Sequence, residues 1–355
     1  MANRKIPYRE QLVHESLYPG ISGASHYHFT RMAWERAKGY AIRVMINRPL
    51  KQTPLGNSTP SLLLILVALF SIGCAGQAAQ TPPPVGSKAV RFGHVFIVVE
   101  ENANYSDVIS NPAMPYLNGL VNQYGLAANY YANAHPSIPN YFEMTTGKFQ
   151  TIIDAEIPDT LSISDDNVVK ELIAAGKTWK SYAEDLPSIG YTGGNSGNYA
   201  VRHNPLAYMA VVQNDPAQKQ NLVPFSQFPA DLPTANLPQY SFIVPNLCSD
   251  AHNCSLATAD TWLQDHIKPL IDSPQFQKDG LLIIVFDEAG NFDFTSGGGH
   301  VAAVVVSPFS KPGYKSIAFY QHQSVLRLML EGLGVSKLPG DAAGAPAMWE
   351  FFNAP

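Results

Sequence analysis

Apolar and polar positions divide this chain into segments with distinct periods. His94–Val99 is a short run of apolar residues that ends abruptly in Glu100-Glu101-Asn102. A run of that length predicts a strand buried on both faces, and its polar end predicts an opening at the carboxyl edge of a sheet. Leu281–Phe286 repeats the pattern and ends in Asp287-Glu288. Further strands are expected at Leu126–Ala132, Thr178–Ala183, Tyr240–Val244 and Val301–Val306. Helical spacing predicts helices at Pro115–Tyr124, Ser137–Thr146, Asp165–Ala175, Thr261–Ile271 and Gln323–Leu333. Gly147 and Gly176 stand where two of them should stop, and Ser164 or Asp165 can cap the third. Strands alternating with helices imply an α/β fold: a three-layer αβα sandwich with a mostly parallel central sheet. Residues 185–235, rich in Pro, Gly, Asn and Gln, read as an irregular insertion or lid.

The amino-terminal quarter follows another logic. Ser61–Gly73 is apolar throughout, too short for a comfortable membrane span, and follows Arg48 and Lys51. That pattern fits an export signal at residues 45–74. Cys74 follows Ser-Ile-Gly and resembles a bacterial lipoprotein cleavage position, which would lipidate it. Ordinary secretion with cleavage near Ala75–Ala79 is the alternative. Residues 1–44 read as a mis-called start or an unstructured extension, and residues 75–90, with Thr81-Pro-Pro-Pro84, as a linker. About 265 residues, 91–355, remain for one catalytic domain.

Charge sharpens this division. Through Pro60 there are nine Lys/Arg and three Asp/Glu, which leaves 14 basic and 25 acidic residues for the rest. A mildly acidic catalytic part carries no nucleic-acid-binding footprint. Membrane contact is expected only through the amino-terminal lipid anchor. Cys248 and Cys254 lie close together and, in an exported protein, are expected to form a small disulfide rather than a zinc site.

The polar residues with chemical potential fall in five segments. Two acid-tipped strands gather negative charge at one place, and a hard or borderline divalent cation is the simplest reason to do so. Ser137, in His135-Pro-Ser-Ile-Pro-Asn-Tyr141, opens a predicted helix whose free N–H groups favour phosphate; alternatively it is only a cap. Asp250 and His252 follow a strand and can point into a cleft. Ser296-Gly-Gly-Gly-His300 can bring backbone close to a ligand and deliver His300 as a ligand or acid.

Taken in order, these segments resemble the acid phosphatase/phospholipase C-type phosphoesterases of bacteria and fungi, within the alkaline phosphatase superfamily. Trp179–Asp185, Tyr199–Pro205 and Tyr320–Ser324 are similar to the smaller acid-phosphatase-like branch, and the likeness runs from about residue 93 to the end. The resemblance implies Ser137 as nucleophile and metal contact, with Glu101, Asp287, Glu288 and Asp250 as metal ligands. It implies Asn102, Arg202 and His135 at the substrate, and His252, His300 and His203 as catalytic or substrate-contacting histidines. Glu101 and Glu288 stand where superfamily enzymes usually show Asp and His, so metal number and identity stay open.

The expected activity is hydrolysis of a small-molecule or lipid phosphate ester through a phosphoserine, with a divalent metal. Arg202 favours a monoester over a phospholipase C-type diester. A phospho-group transferase and a non-catalytic envelope binding protein on the same fold are the alternatives.

Overall fold

The computed structural model describes residues 90–353 apart from residue 291. The export signal, Cys74, the 1–44 segment and all of the linker except Val90 lie outside the described residues. Among the described residues, eight strands form one sheet in the order β4-β3-β5-β1-β6-β7-β2-β8. These are β1 (His94–Glu100), β2 (Gly125–Ala127), β3 (Trp179–Ala183), β4 (Leu222–Pro224), β5 (Tyr240–Val244), β6 (Gly280–Phe286), β7 (Ala303–Val306) and β8 (Tyr314–Ser316). All neighbours run parallel except β7, which is antiparallel to both β6 and β2. The class is α/β with a mostly parallel sheet, as the alternating pattern predicts.

Every side chain from Val95 to Glu100 is buried, so helices must cover both faces of the sheet. They pack in two groups. One joins α2 (Ser137–Thr146), α3 (Val168–Ala174) and α5 (His322–Gly332); the other joins α1 (Pro115–Gln123) and α4 (Leu256–Ile271). No described helix is long and apolar enough to cross a membrane.

The register of the central pair positions the site. β1 and β6 pair in step from His94↔Gly280 to Glu100↔Phe286. The next residue of each strand, Glu101 and Asp287, therefore emerges at the same level. The amide of Asp287 donates to the Glu100 carbonyl at 2.9 Å and extends the pairing to the acidic tips.

Several boundaries differ from those expected. β2 ends at Ala127 rather than Ala132, because beyond it the chain keeps only single bridges, Tyr130↔Tyr320 and Tyr131↔His300. α3 begins at Val168, capped by Asn167, whose Oδ1 accepts from Lys170 N at 3.1 Å. The expected cap, Asp165, instead pairs with Lys148 at 3.0 Å. α4 begins five residues before Thr261, where the Ser255 hydroxyl accepts from Thr258 N. β7 starts at Ala303, not Val301. The 185–235 stretch is ordered: it forms short helical turns and adds β4 to the sheet beside β3.

Two buried acids on helices bear on stability. Asp260 reaches from α4 to the start of α1 and accepts from Tyr116 N at 2.9 Å and Leu117 N at 2.8 Å. It supplies the cap that Met114 lacks. Asp260→Ala leaves both N–H groups without that acceptor and should cost about 2 kcal/mol. Thermal unfolding should then shift down by about 5 °C, with turnover unchanged. Glu143, buried on α2, is pushed up to about 7 by burial and by nearby Asp341. Because its folded value lies above its unfolded one, the folded state holds the proton more tightly. Stability from this group is present below about pH 4.5 and is lost as pH rises to about 7. Unfolding measured across that window should show the loss in the native protein and a flatter profile in Glu143→Gln.

Candidate active site

Ser137 is the first residue of α2, and Pro136 occupies the capping position without a side-chain cap bond. The serine is therefore not a cap. Its hydroxyl donates to Glu101 Oε2 at 3.1 Å, and Glu288 Oε1 lies 3.5 Å away. One helical turn later, Tyr141 donates to the other oxygen of the same carboxylate, Glu101 Oε1, at 2.5 Å. Residues i and i+4 share a helix face, so this arrangement follows from the helix itself. Tyr141 also stacks on His203, with ring centroids 5.1 Å apart and planes 5° from parallel.

Asn102 takes the left-handed conformation, φ 55°, which Asn tolerates better than most residues. Its amide N–H donates to Asp287 Oδ1 at 3.1 Å and its side chain to Glu101 Oε2 at 2.9 Å. Asp250, two residues before His252, is fully buried. Its backbone carbonyl accepts from Glu101 N at 2.8 Å, and its Oδ1 accepts from His252 N at 2.9 Å. Cys248 and Cys254 are joined in a disulfide around this turn.

His203 lies between two carboxylates. Its Nδ1 is 3.0 Å from Asp250 Oδ2 and its Nε2 is 3.2 Å from Glu101 Oε1. Burial, with Arg202 and His252 close by, pushes it well below the usual histidine range and holds it neutral. A neutral ring has one N–H to give and one lone pair, so one carboxylate faces a lone pair.

The acids respond to the same burial. Desolvation and neighbouring Asp287 push Glu101 well above the usual carboxylate range. Burial raises Asp250 and Asp287 to about 7 each, and burial with Asp287 alongside raises Glu288 to about 9. Glu288 Oε2 is 2.7 Å from His135 Nδ1, and His135 Nε2 donates to the Asp293 carbonyl at 2.9 Å. Arg202 is the near cation. Its Nη2 donates to His252 Nε2 at 2.9 Å, and its Nε lies 3.8 Å from Asp154 Oδ2.

These residues fit a divalent cation. Glu101, His203 and Asp250 each offer a ligand atom, and those atoms lie within 4.8 Å of one another. Asp287 Oδ2 and His203 Nε2 are buried without a hydrogen-bond partner. Buried carboxylates at this density are costly unless paired or bound to metal.

The tertiary fold thus brings together Glu101, Asn102, His135, Ser137, Arg202, His203, Asp250, His252, Asp287 and Glu288. His300 is not brought into the cluster. Its Nε2 donates to the Ala128 carbonyl at 3.1 Å, and its ring is stacked between Tyr105 at 4.3 Å and Tyr131 at 4.8 Å. The glycines before it serve backbone packing. A Cβ on Gly297 would lie 2.0 Å from the Asn133 carbonyl oxygen, so glycine is needed here for the close approach of the two backbones. The helix start also offers fewer donors than expected: Pro136 and Pro139 have no N–H, and Ile138 N donates to Asp154 Oδ1 at 3.0 Å.

Three participants escape sequence reasoning. Tyr141 was visible in the i, i+4 spacing from Ser137. His322, fully buried, donates from Nε2 to the Asp287 carbonyl at 2.7 Å and contacts Tyr130 OH through Nδ1 at 3.0 Å; burial pushes it down to about 4. Asp154 had no local signal.

A sheet of this order, with a helix-borne serine facing acidic strand tips, defines an α/β fold with a candidate active site at the carboxyl edge of the sheet. A protein of the alkaline phosphatase superfamily from Vibrio parahaemolyticus superposes with a TM-score of 0.50, at 14% identity, covering 73% of this chain and 71% of that one. The Phosphoesterase family profile matches residues 108–336. A phosphatidylinositol-3-phosphatase of Mycobacterium tuberculosis is 30% identical over 300 residues, 84% of this chain and 93% of its own length. An acid phosphatase of Aspergillus fumigatus is 30% identical over 287 residues, 76% of this chain. The chain spans 62–66% of the length of the fungal acid phosphatases it matches. This chain belongs to the Phosphoesterase family, whose members include enzymes that hydrolyse phosphoric esters.

The ligand set carries its own test. His203→Ala and Asp250→Asn should each lower bound divalent metal per chain, measured by elemental analysis of purified protein, by about tenfold or more. Metal content equal to the native protein in both variants would exclude them as ligands.

Proposed function

We propose that this chain is an exported, metal-dependent phosphomonoesterase acting through a phosphoserine at Ser137. One observation carries the reading: the Ser137 hydroxyl donates to Glu101 Oε2, the oxygen that also accepts from Asn102, with Glu288 Oε1 3.5 Å away. A nucleophile with a proton acceptor already in hydrogen-bond reach is the arrangement that covalent catalysis needs.

Ser137 Oγ attacks phosphorus as its proton passes to Glu101. The bond from phosphorus to the leaving oxygen breaks, and that oxygen is protonated from solvent. Water then attacks the phosphoserine from the opposite side. The Oγ–phosphorus bond breaks, Glu101 returns its proton to Oγ, and the proton shed by water leaves to solvent. Tyr141 fixes the Glu101 carboxylate throughout, and His322 fixes the backbone of Asp287. Glu101, His203 and Asp250 would hold a divalent cation, which would supply the positive charge that a site of buried carboxylates needs to accept a phosphate dianion and would keep Glu101 ionised as the proton acceptor.

Arg202 favours a monoester, because a dianionic phosphate needs more cationic charge than a diester does. Its Nε is buried without a hydrogen-bond partner, and a guanidinium suits phosphate oxygens. The names of the relatives, acid phosphatase and phosphatidylinositol-3-phosphatase, support the same reading. Export is supported by the 45–74 signal pattern and by the Cys248–Cys254 disulfide, a bond of oxidising compartments. Cys74 is the proposed lipidation position.

Ser137→Ala should reduce turnover of p-nitrophenyl phosphate by at least about 10³-fold while thermal unfolding stays near native. Near-normal turnover by that variant would exclude the serine as nucleophile.

A further inference from the structure

The large apolar side chains that stay exposed are not scattered over the described residues. Most emerge at one end of the sheet. Phe292, 96% exposed, and Phe294, 65% exposed, follow β6. Ile317, 86% exposed, and Phe319 follow β8. β8 is parallel to β2, and β2 and β6 are both antiparallel to β7, so β8 and β6 point the same way. Ile152 and Ile153 immediately precede Asp154, whose carboxylate binds Ile138 N beside Ser137. Phe294 also sets its edge against His135, 4.9 Å between centroids. Phe149, Ile173 on α3, and Ile189 are the other exposed large apolar residues and are not part of this group.

Three features decide what covers this end. It flanks the candidate site, with Phe294 against His135 and Ile153 next to Asp154, so a stably bound protein or second copy there would cover the site, whereas a lipid surface would deliver an ester to it. β6 and β8 are three strand spacings apart, about 14 Å, too broad a row for one small ligand. The two most exposed side chains, Phe292 and Ile317, lie on separate loops, after β6 and after β8, and so offer little of the continuous packed area that protein interfaces need. Asp154 and Asp293 lie among them, so anionic headgroups are not required.

We propose that this end of the molecule docks on a bilayer surface, inserting Ile152, Ile153, Phe292, Phe294, Ile317 and Phe319, and that the ester it cleaves is carried by a lipid in that surface. The second clause rests on the Ser137 reading above; the docking does not.

The test uses the full chain in a Cys74→Ala background, with an environment-sensitive thiol probe attached through Ile317→Cys or, as control, Ile173→Cys. Phosphatidylcholine vesicles should blue-shift the probe at 317 and leave that at 173 unchanged. Equal shifts at both, no shift at either, or a shift at 317 on raising protein concentration without vesicles would overturn docking; the last would assign the face to a second copy. Independently, the triple variant Ile152→Ser, Phe292→Ser, Ile317→Ser should hydrolyse phosphatidic acid in phosphatidylcholine vesicles about tenfold more slowly. Its turnover of p-nitrophenyl phosphate should stay within about twofold of native. An unchanged vesicle rate, or equal falls on both substrates, would defeat the lipid-substrate claim. A native protein that turns over neither substrate would defeat the Ser137 reading, while the probe would still decide docking.

Discussion

The in-step parallel pairing of β1 with β6 is the constraint from which the rest follows. Because Glu100 stands opposite Phe286, the chain delivers Glu101 and Asp287 at one height, with Asp287 N bonded to the Glu100 carbonyl. A one-residue slip would turn each of these side chains to the other face. Ser137, Tyr141 and His203 are then arranged around a carboxylate whose position the sheet has already fixed. Tyr141 and Ser137 each donate to one oxygen of Glu101, so the helix and the strand hold each other in place.

That arrangement carries an electrostatic burden. Glu101, Asp250, Asp287 and Glu288 are all buried, and each is pushed toward the protonated form. Folding alone would not gather such charge, since desolvating a carboxylate is expensive. The hydrophobic core supplies the compensating stability: Val95 to Val99 and Leu281 to Phe286 are almost entirely removed from water. The scaffold is thus rigid beneath the acids and strained in charge above them. The same logic explains why function falls at the carboxyl ends of parallel strands, where side chains leave the core.

The family match and the site geometry are independent observations that overlap along the chain. The Phosphoesterase profile covers residues 108–336, which include Ser137, His203, Asp250 and Asp287 but begin after Glu101. The contacts of Glu101 with Ser137, Tyr141 and His203 draw the first strand into the site on structural grounds alone.

The sequence by itself determined the strands β1, β5 and β6 nearly to the residue, the helix Ser137–Thr146, and the acidic tips. Those features depend on local hydrophobic period and on where polar residues interrupt it. Cys248 and Cys254 could be paired for a related reason, their closeness along the chain. What period could not determine was any relation between distant segments. His203 sits in a stretch that reads as irregular, yet it is wedged between Glu101 and Asp250. His300 reads as part of the site, yet Tyr105, Tyr131 and the Ala128 carbonyl hold it aside. Tyr141 shares the helix face of Ser137, but only the placement of β1 beneath that face gave its hydroxyl a carboxylate to bind. Local pattern fixes which groups a segment carries and where it turns; packing against other segments fixes what each group meets, because burial and hydrogen-bond partners are properties of the assembled fold.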